Sequence, residues 1–315
     1  MSERKPKVIV VAGPTASGKS DLALALAQAL GGVIINADSQ QRYRDFPILT
    51  AQPTARELAR APHRLFGDLE AHEISTAAEW ADKAAAEIRA ANSRERVPIV
   101  VGGTGLYLRV LMQGVAAIPP IPDDVRAAGR ALLADIGNEA FHLRLAARDP
   151  AAAARIPVGN TQRLARAWEV VEATGTPLSV WQQVRARPAV DAAFFSILIM
   201  PPRETIVAAC AARFEAMLAA GALAEVQRAQ AKQIPREAPA MNALGARELA
   251  DYLSGRLDRP QAIAAAEVVT RQYAKRQATW FRHQFNSNLT LEARYTDDKR
   301  TTVVGRVGEF LKELQ

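Results

Sequence analysis

The chain has 315 residues, 49% hydrophobic and 23% charged, with a formal net charge of +7. That balance excludes a disordered or collagen-like chain, and a length near twice ~150 residues fits two units or one core carrying an insertion. No run approaches the ~20 apolar residues of a bilayer-crossing helix, Met1 to Lys7 has no leader pattern, and the single cysteine, Cys210, excludes an internal disulfide. These features predict a cytoplasmic protein with no membrane association and Cys210 as a small core residue.

Val8 to Ala12 is short, apolar and β-branched, so it reads as a buried parallel strand, and Asp21 to Ala27 is made of strong helix formers. Between them Gly13-Pro14-Thr15-Ala16-Ser17-Gly18-Lys19-Ser20 completes the G-x-x-x-x-G-K-[ST] pattern of a phosphate-binding loop. Its backbone N–H groups face an anion, Lys19 supplies a point charge, and the Ser20 hydroxyl is placed to hold Mg²⁺. A second strand, Val33 to Ala37, ends in Asp38-Ser39-Gln40-Gln41. Ala77 to Asn92 is an amphipathic helix, and a third strand, Ile99 to Val101, ends in Gly102-Gly103-Thr104-Gly105. The alternation predicts an α/β fold: a P-loop NTPase-like parallel sheet with ligands at the carboxyl ends of its strands.

Ile118 to Asp124 carries three prolines and marks a boundary, residues 123–185 have helical composition, and Phe194 to Met200 returns to strand. This order predicts a core of residues 1–118 and 194–315 with a helical insertion over 119–193. Long helices are expected over 203–285, with breaks at 235–239 and 255–260, while Thr301 to Val304 fits either a short strand or a helix start. Most of the excess positive charge falls in the last third. There, Arg271, Lys275 and Arg282 recur at helical spacing beside Tyr273, Trp280 and Phe281, a pattern that fits either a phosphate-contacting stripe or a solvated face.

From the residues alone the loop announces phosphate chemistry, and Asp38 is placed to orient a nucleophile, accept its proton, hold a metal, or cap a helix. Thr104 offers a neutral donor and acceptor opposite it. Three classes fit: an enzyme acting on nucleic acid, an enzyme such as a kinase acting on small nucleotides, and a non-catalytic nucleotide switch. The helical insertion and basic last third favour the first, and the Asp38–Thr104 pair disfavours the last.

The phosphate loop followed by Asp-Ser-Gln-Gln-Arg-Tyr at 38–43, His63-Arg64-Leu65, Val101 to Tyr107, Gln162 to Val170 and Arg271 to Phe281 together resemble the bacterial tRNA dimethylallyltransferase family, in order along nearly the whole chain. The resemblance implies transfer of a dimethylallyl group from dimethylallyl diphosphate to N6 of adenosine 37, beside the anticodon, with Mg²⁺ assisting. It implies that Asp38 and Thr104 are catalytic, that Gly13 to Ser20 with Arg213 hold the diphosphate, and that Ser20 holds the metal. It further implies that Asp38, Ser39, Gln40, Gln41, Thr104, Arg126, Gln162, Arg163, Leu164, Ala165, Arg166, Arg271 and Lys275 meet the anticodon stem-loop of tRNA, and that the enzyme works as a monomer. The chain departs from the family pattern at Gln40, Arg42, Gln52, Gly159-Asn160 and Asn242. The family carries an apolar residue where Arg42 stands, and Gln52, Asn160 and Asn242 each remove a charge.

Overall fold

A computed structural model describes residues 5–184 and 187–312; Met1 to Arg4, and Arg185 at the end of the expected helical stretch, lie outside the described residues. The chain runs β1 (Lys7–Ala12), α1 (Lys19–Leu30), β2 (Val33–Asn36), α2 (Ala55–Leu58), β3 (His63–Arg64), α3 (Ala77–Asn92), β4 (Pro98–Gly102), α4 (Gly105–Gln113), α5 (Asp123–Arg148), α6 (Pro150–Ala153), α7 (Thr161–Thr174), α8 (Leu178–Trp181), β5 (Ala193–Ile199), α9 (Arg203–Ala219), α10 (Ala222–Ala231), α11 (Ala246–Leu253), α12 (Arg259–Gln284), β6 (Leu289–Leu291) and α13 (Arg300–Lys312). Contacts group these elements into two compact units, residues 1–112 with 189–315, and residues 113–188.

In the larger unit six parallel strands form one sheet in the order β3-β2-β4-β1-β5-β6. β1 is central, and its pleat explains why every residue in it is apolar beyond Lys7. Val8, Val10 and Ala12 enter a cluster with Trp80, Ile88 and Tyr107, while Ile9 and Val11 enter another with Leu22, Leu26 and Val303. Helix α3 begins at a capping box: Thr76 Oγ1 accepts the Glu79 N–H at 3.2 Å, and Glu79 Oε2 accepts the Thr76 N–H at 2.8 Å. It then buries Trp80, Ala84 and Ile88 at the i, i+4, i+8 spacing. A third cluster joins α9, α10, α11 and α12 to the segment Tyr43–Ala71 through Phe46, Phe214, Val226 and Leu249. Glu225, wholly buried on α10, fixes that segment, its carboxylate accepting the N–H groups of Ile48 at 2.6 Å and Leu49 at 2.9 Å.

The smaller unit packs α5 against α7 around Phe141, Leu145 and Leu164. Its ends are joined by an antiparallel bridge between Val115 and Arg187. By contact its limits lie at 113 and 188, where the proline break suggests 119 and 193. Asp149 is fully buried there and holds α6 to α8, accepting the N–H groups of Ala152 and Ser179, both at 2.9 Å.

Among the described residues no single helix is long and apolar enough to cross a membrane. The pair α9 and α10 meets that test only together, across a 61° bend. Residues 301–304 take the helical of their two readings, as the start of α13, and Cys210 is buried in α9.

Candidate active site

β1, β2 and β4 are neighbours in the sheet, so their carboxyl ends lie side by side. After β1 the chain curls back over Pro14, whose carbonyl accepts the Ser17 N–H at 3.4 Å and Lys19 Nζ at 3.3 Å. Gly18 sits at φ 90°, a conformation L side chains rarely adopt, and launches α1 from the loop. Lys19 is 8% exposed. Burial pushes its ammonium down to about 8; the Asp38 carboxylate opposes this and the Arg213 guanidinium adds to it. Asp38 therefore lies within electrostatic reach of the loop's cation. Arg213, half-buried on α9, donates to the Thr15 hydroxyl at 3.4 Å. Ser20 is exposed at the start of α1.

The loop after β2 is tightly specified. Fully buried Asn36 accepts the Asp38 N–H at 2.8 Å and donates from Nδ2 to the carbonyls of Asp38 and Leu65, both at 2.9 Å. Trp80 Nε1 donates to the Asn36 carbonyl at 2.8 Å. Asp38 Oδ1 accepts the Gln40 N–H at 3.0 Å, just ahead of the short 3₁₀ turn Gln40–Arg42, whose N-cap position is Ser39. Asp38 is thus not the N-cap of that turn; one of its carboxylate oxygens is tied to the backbone two residues on. The Thr104 N–H donates to the Ala37 carbonyl at 3.1 Å, and its hydroxyl accepts the Ser39 N–H at 3.0 Å. Gly102 permits this approach: a Cβ there would lie 2.1 Å from the Ala37 carbonyl. Tyr273 of α12 faces the same cluster. Burial and the Asp38 charge push its phenol up, against hydrogen bonding to Thr104, so it is a neutral donor.

Four buried side-chain polar atoms among the described residues lack a hydrogen-bond partner: Ser17 Oγ, Gln40 Oε1, Arg126 Nε and Arg247 Nε. Three of them belong to residues that the sequence assigns to ligand contact. An orphaned buried polar atom costs ~1–3 kcal/mol unless a ligand or water satisfies it, so each of these atoms has bonding capacity left for one or the other. Arg247 was not anticipated; its Nη2 donates to Asn242 Oδ1 at 2.8 Å.

Other residues divide by exposure. Gln41 Nε2 is occupied internally by the carbonyls of Thr50 and Ala51, at 2.9 and 2.8 Å. Leu164 is wholly buried in the helical core, so its side chain does not face RNA as the motif implied, while Ala165 is half-buried against that core. Gln162, Arg163 and Arg166 are exposed on α7, which Asn160 caps by accepting the Arg163 N–H at 3.2 Å. Burial lowers Arg166 despite Glu169, with Arg126 adding to the shift. Arg271 and Lys275 are exposed on α12, and Arg271 lies 3.5 Å from Glu267.

The sequence also misjudged Arg42, a departure from the family's apolar pattern. It is fully buried and paired with Asp68 at 2.6 and 2.9 Å, under stacked Trp80 and Tyr107, whose rings lie 4.4 Å apart. Gln52 donates to the Tyr43 carbonyl at 2.8 Å and so braces this segment.

Residues 41–284 match the family model described as IPP transferase. The chain is 48% identical over 311 residues to a tRNA dimethylallyltransferase of Paramagnetospirillum magneticum, covering 99% of each. It is 52% identical over 278 residues to one of Rhodospirillum centenum, covering 88% of each. Its fold resembles the crystal structure of the Bacillus halodurans tRNA isopentenylpyrophosphate transferase, with a TM-score of 0.69 and 30% identity over 99% of this chain and 98% of that one. It also resembles a eukaryotic dimethylallyltransferase acting on tRNA, with a TM-score of 0.82 and 25% identity over 97% and 79%. With a phosphate loop, an acid and a hydroxyl gathered at adjacent strand ends and the match spanning nearly its whole length, the chain belongs to the IPP transferase family.

Proposed function

We propose that the protein is a cytoplasmic, monomeric tRNA dimethylallyltransferase that moves the dimethylallyl group of dimethylallyl diphosphate to N6 of adenosine 37. Dimethylallyl transfer to tRNA is the activity named for its relatives. The observation that carries the finer reading is the pairing of an anion cradle with an acid: Lys19 in the loop lies within electrostatic reach of Asp38, itself tied through Ser39 to Thr104.

The allylic C–O bond breaks with its electron pair leaving on diphosphate, and the N6 lone pair forms the new C–N bond. Lys19, Arg213, the loop amides and the orphaned Ser17 hydroxyl stabilise charge developing on the leaving group. The exocyclic amine is a weak nucleophile that must shed a proton, and Asp38 takes it; that Gln40 engages only one of its carboxylate oxygens supports this reading. Thr104 and Ser39 orient the amine, and the unpartnered Gln40 carbonyl oxygen reads a neighbouring base edge. The base must leave the loop's stack to reach them. Gln162, Arg163 and Arg166, with Arg126, contact tRNA, and Arg271 and Lys275 meet backbone phosphates.

Mg²⁺ fits this donor set. The exposed Ser20 hydroxyl, at the start of α1 beside the anion cradle, is the residue that would hold the ion. When bound, the ion supplies further neutralisation of the leaving group.

The test is nucleoside mass analysis of tRNA after incubation with enzyme, dimethylallyl diphosphate and Mg²⁺, beside AMP as an alternative acceptor. Dimethylallyladenosine at position 37 is the expected product. Label in AMP alone would overturn the reading in favour of a small-nucleotide prenyltransferase.

A further inference from the structure

We propose that Gln277 is a positioning residue that bolts the phosphate loop to the Gly103–Thr104 loop and so sets the distance between leaving group and acceptor amine. The proposal rests on the function argued above. Gln277 lies on α12 and is only 6% exposed. Its Oε1 accepts the Thr15 N–H at 2.8 Å, and its Nε2 donates to the Gly103 carbonyl at 2.8 Å. Both ends of one carboxamide are thus committed, one to each half of the site. These halves follow β1 and β4, and no other side-chain hydrogen bond spans them among the described residues.

The rest of α12 presses on the same place. One turn earlier, Tyr273 faces Thr104 and Asp38. One turn later, the Trp280 ring lies so close to Gly105 that a Cβ there would come within 2.2 Å of it. One helix therefore abuts three consecutive residues, 103, 104 and 105, and the phosphate loop as well. Thr15 is fixed from a second side by Arg213.

Glutamine suits this bolt because a carboxamide accepts and donates at once without charge. A carboxylate accepts but cannot donate unless protonated, and a thioether does neither well. The step being positioned is sensitive: a displacement of ~1 Å between reacting atoms costs ~10²-fold in rate.

The test compares the wild type with Gln277→Met and Gln277→Glu, assayed well below each protein's unfolding midpoint. For Gln277→Met we expect kcat lower by ~30- to 100-fold, with the KM values for tRNA and dimethylallyl diphosphate each within about threefold. For Gln277→Glu, kcat relative to wild type should rise as the pH is lowered from ~8 to ~6, because a protonated carboxyl regains the donor for Gly103. Unchanged kcat in Gln277→Met, or raised KM values with kcat preserved, would overturn the proposal. Should Gln277→Met not fold, a pH-independent ratio for Gln277→Glu overturns it alone. A wild type that makes no dimethylallyladenosine defeats the functional reading instead, so the two failures are distinct.

Discussion

The Ser39 N–H donates to the Thr104 hydroxyl at 3.0 Å, fastening the loop that carries Asp38 to the end of the neighbouring strand. With Asn36 gripping the Asp38 backbone through two hydrogen bonds and reaching the Leu65 carbonyl with a third, the segment carrying the acid is held from both sides before any substrate arrives. Such preorganisation acts in the transition state more than in ground-state binding.

Replacing Asp38 with alanine should therefore abolish turnover, a fall of at least ~10²- to 10⁴-fold, while tRNA affinity stays within about tenfold, or ~1.4 kcal/mol. Single-turnover rates set beside filter-binding constants separate the two. A large loss of affinity with turnover preserved would assign Asp38 to binding.

Lys19 makes diphosphate affinity depend on pH. Its ammonium in the free protein titrates at about 8, and a bound anion raises that value, so binding takes up a proton and weakens as pH climbs above about 8. The loss should approach ~10-fold per pH unit and disappear in Lys19→Arg, whose guanidinium stays charged. Calorimetry in buffers of differing ionisation enthalpy measures the proton uptake. The unliganded fold should itself gain stability between about 8 and 10.5, the window in which the unfolded chain binds the extra proton.

Removing Asp68 leaves the wholly buried Arg42 guanidinium without its carboxylate. Asp68→Ala should cost ~3–5 kcal/mol in denaturant unfolding, whereas Arg42→Val combined with Asp68→Ala should cost much less than the two single changes summed. Additive costs would mean that the pair is not coupled.

Arg163 is exposed on α7. Arg163→Ala should raise the KM for tRNA without altering diphosphate binding, and tRNA affinity should fall linearly with salt on a double-logarithmic plot. Titrations at several salt concentrations test both, and a flat salt response would remove Arg271 and Lys275 from phosphate contact.

Much of the site was legible because local chemistry writes it locally. The phosphate loop has a fixed spacing, Asp38 and Thr104 follow apolar strands, and the amphipathic pattern of Ala77 to Asn92 marks α3 at its observed bounds. What escaped depended on distant partners. Strands β3 and β6 are only two and three residues long and have no periodicity of their own. Gln277 reads as one more polar residue on a long helix until Thr15 and Gly103 are seen against it. Arg42 looks misplaced in an apolar pattern until Asp68 is seen beneath it, and Leu164 stands among basic neighbours yet turns inward because α7 must seal its own bundle.

The Thr15 amide waits for a partner encoded 262 residues later, and β1 pairs with β5, which the ribosome delivers only after the whole helical insertion. A nascent chain thus exposes its anion-binding segment early but acquires a finished reaction chamber only as α12 emerges. Translation products truncated before α12 should bind diphosphate poorly and alkylate nothing.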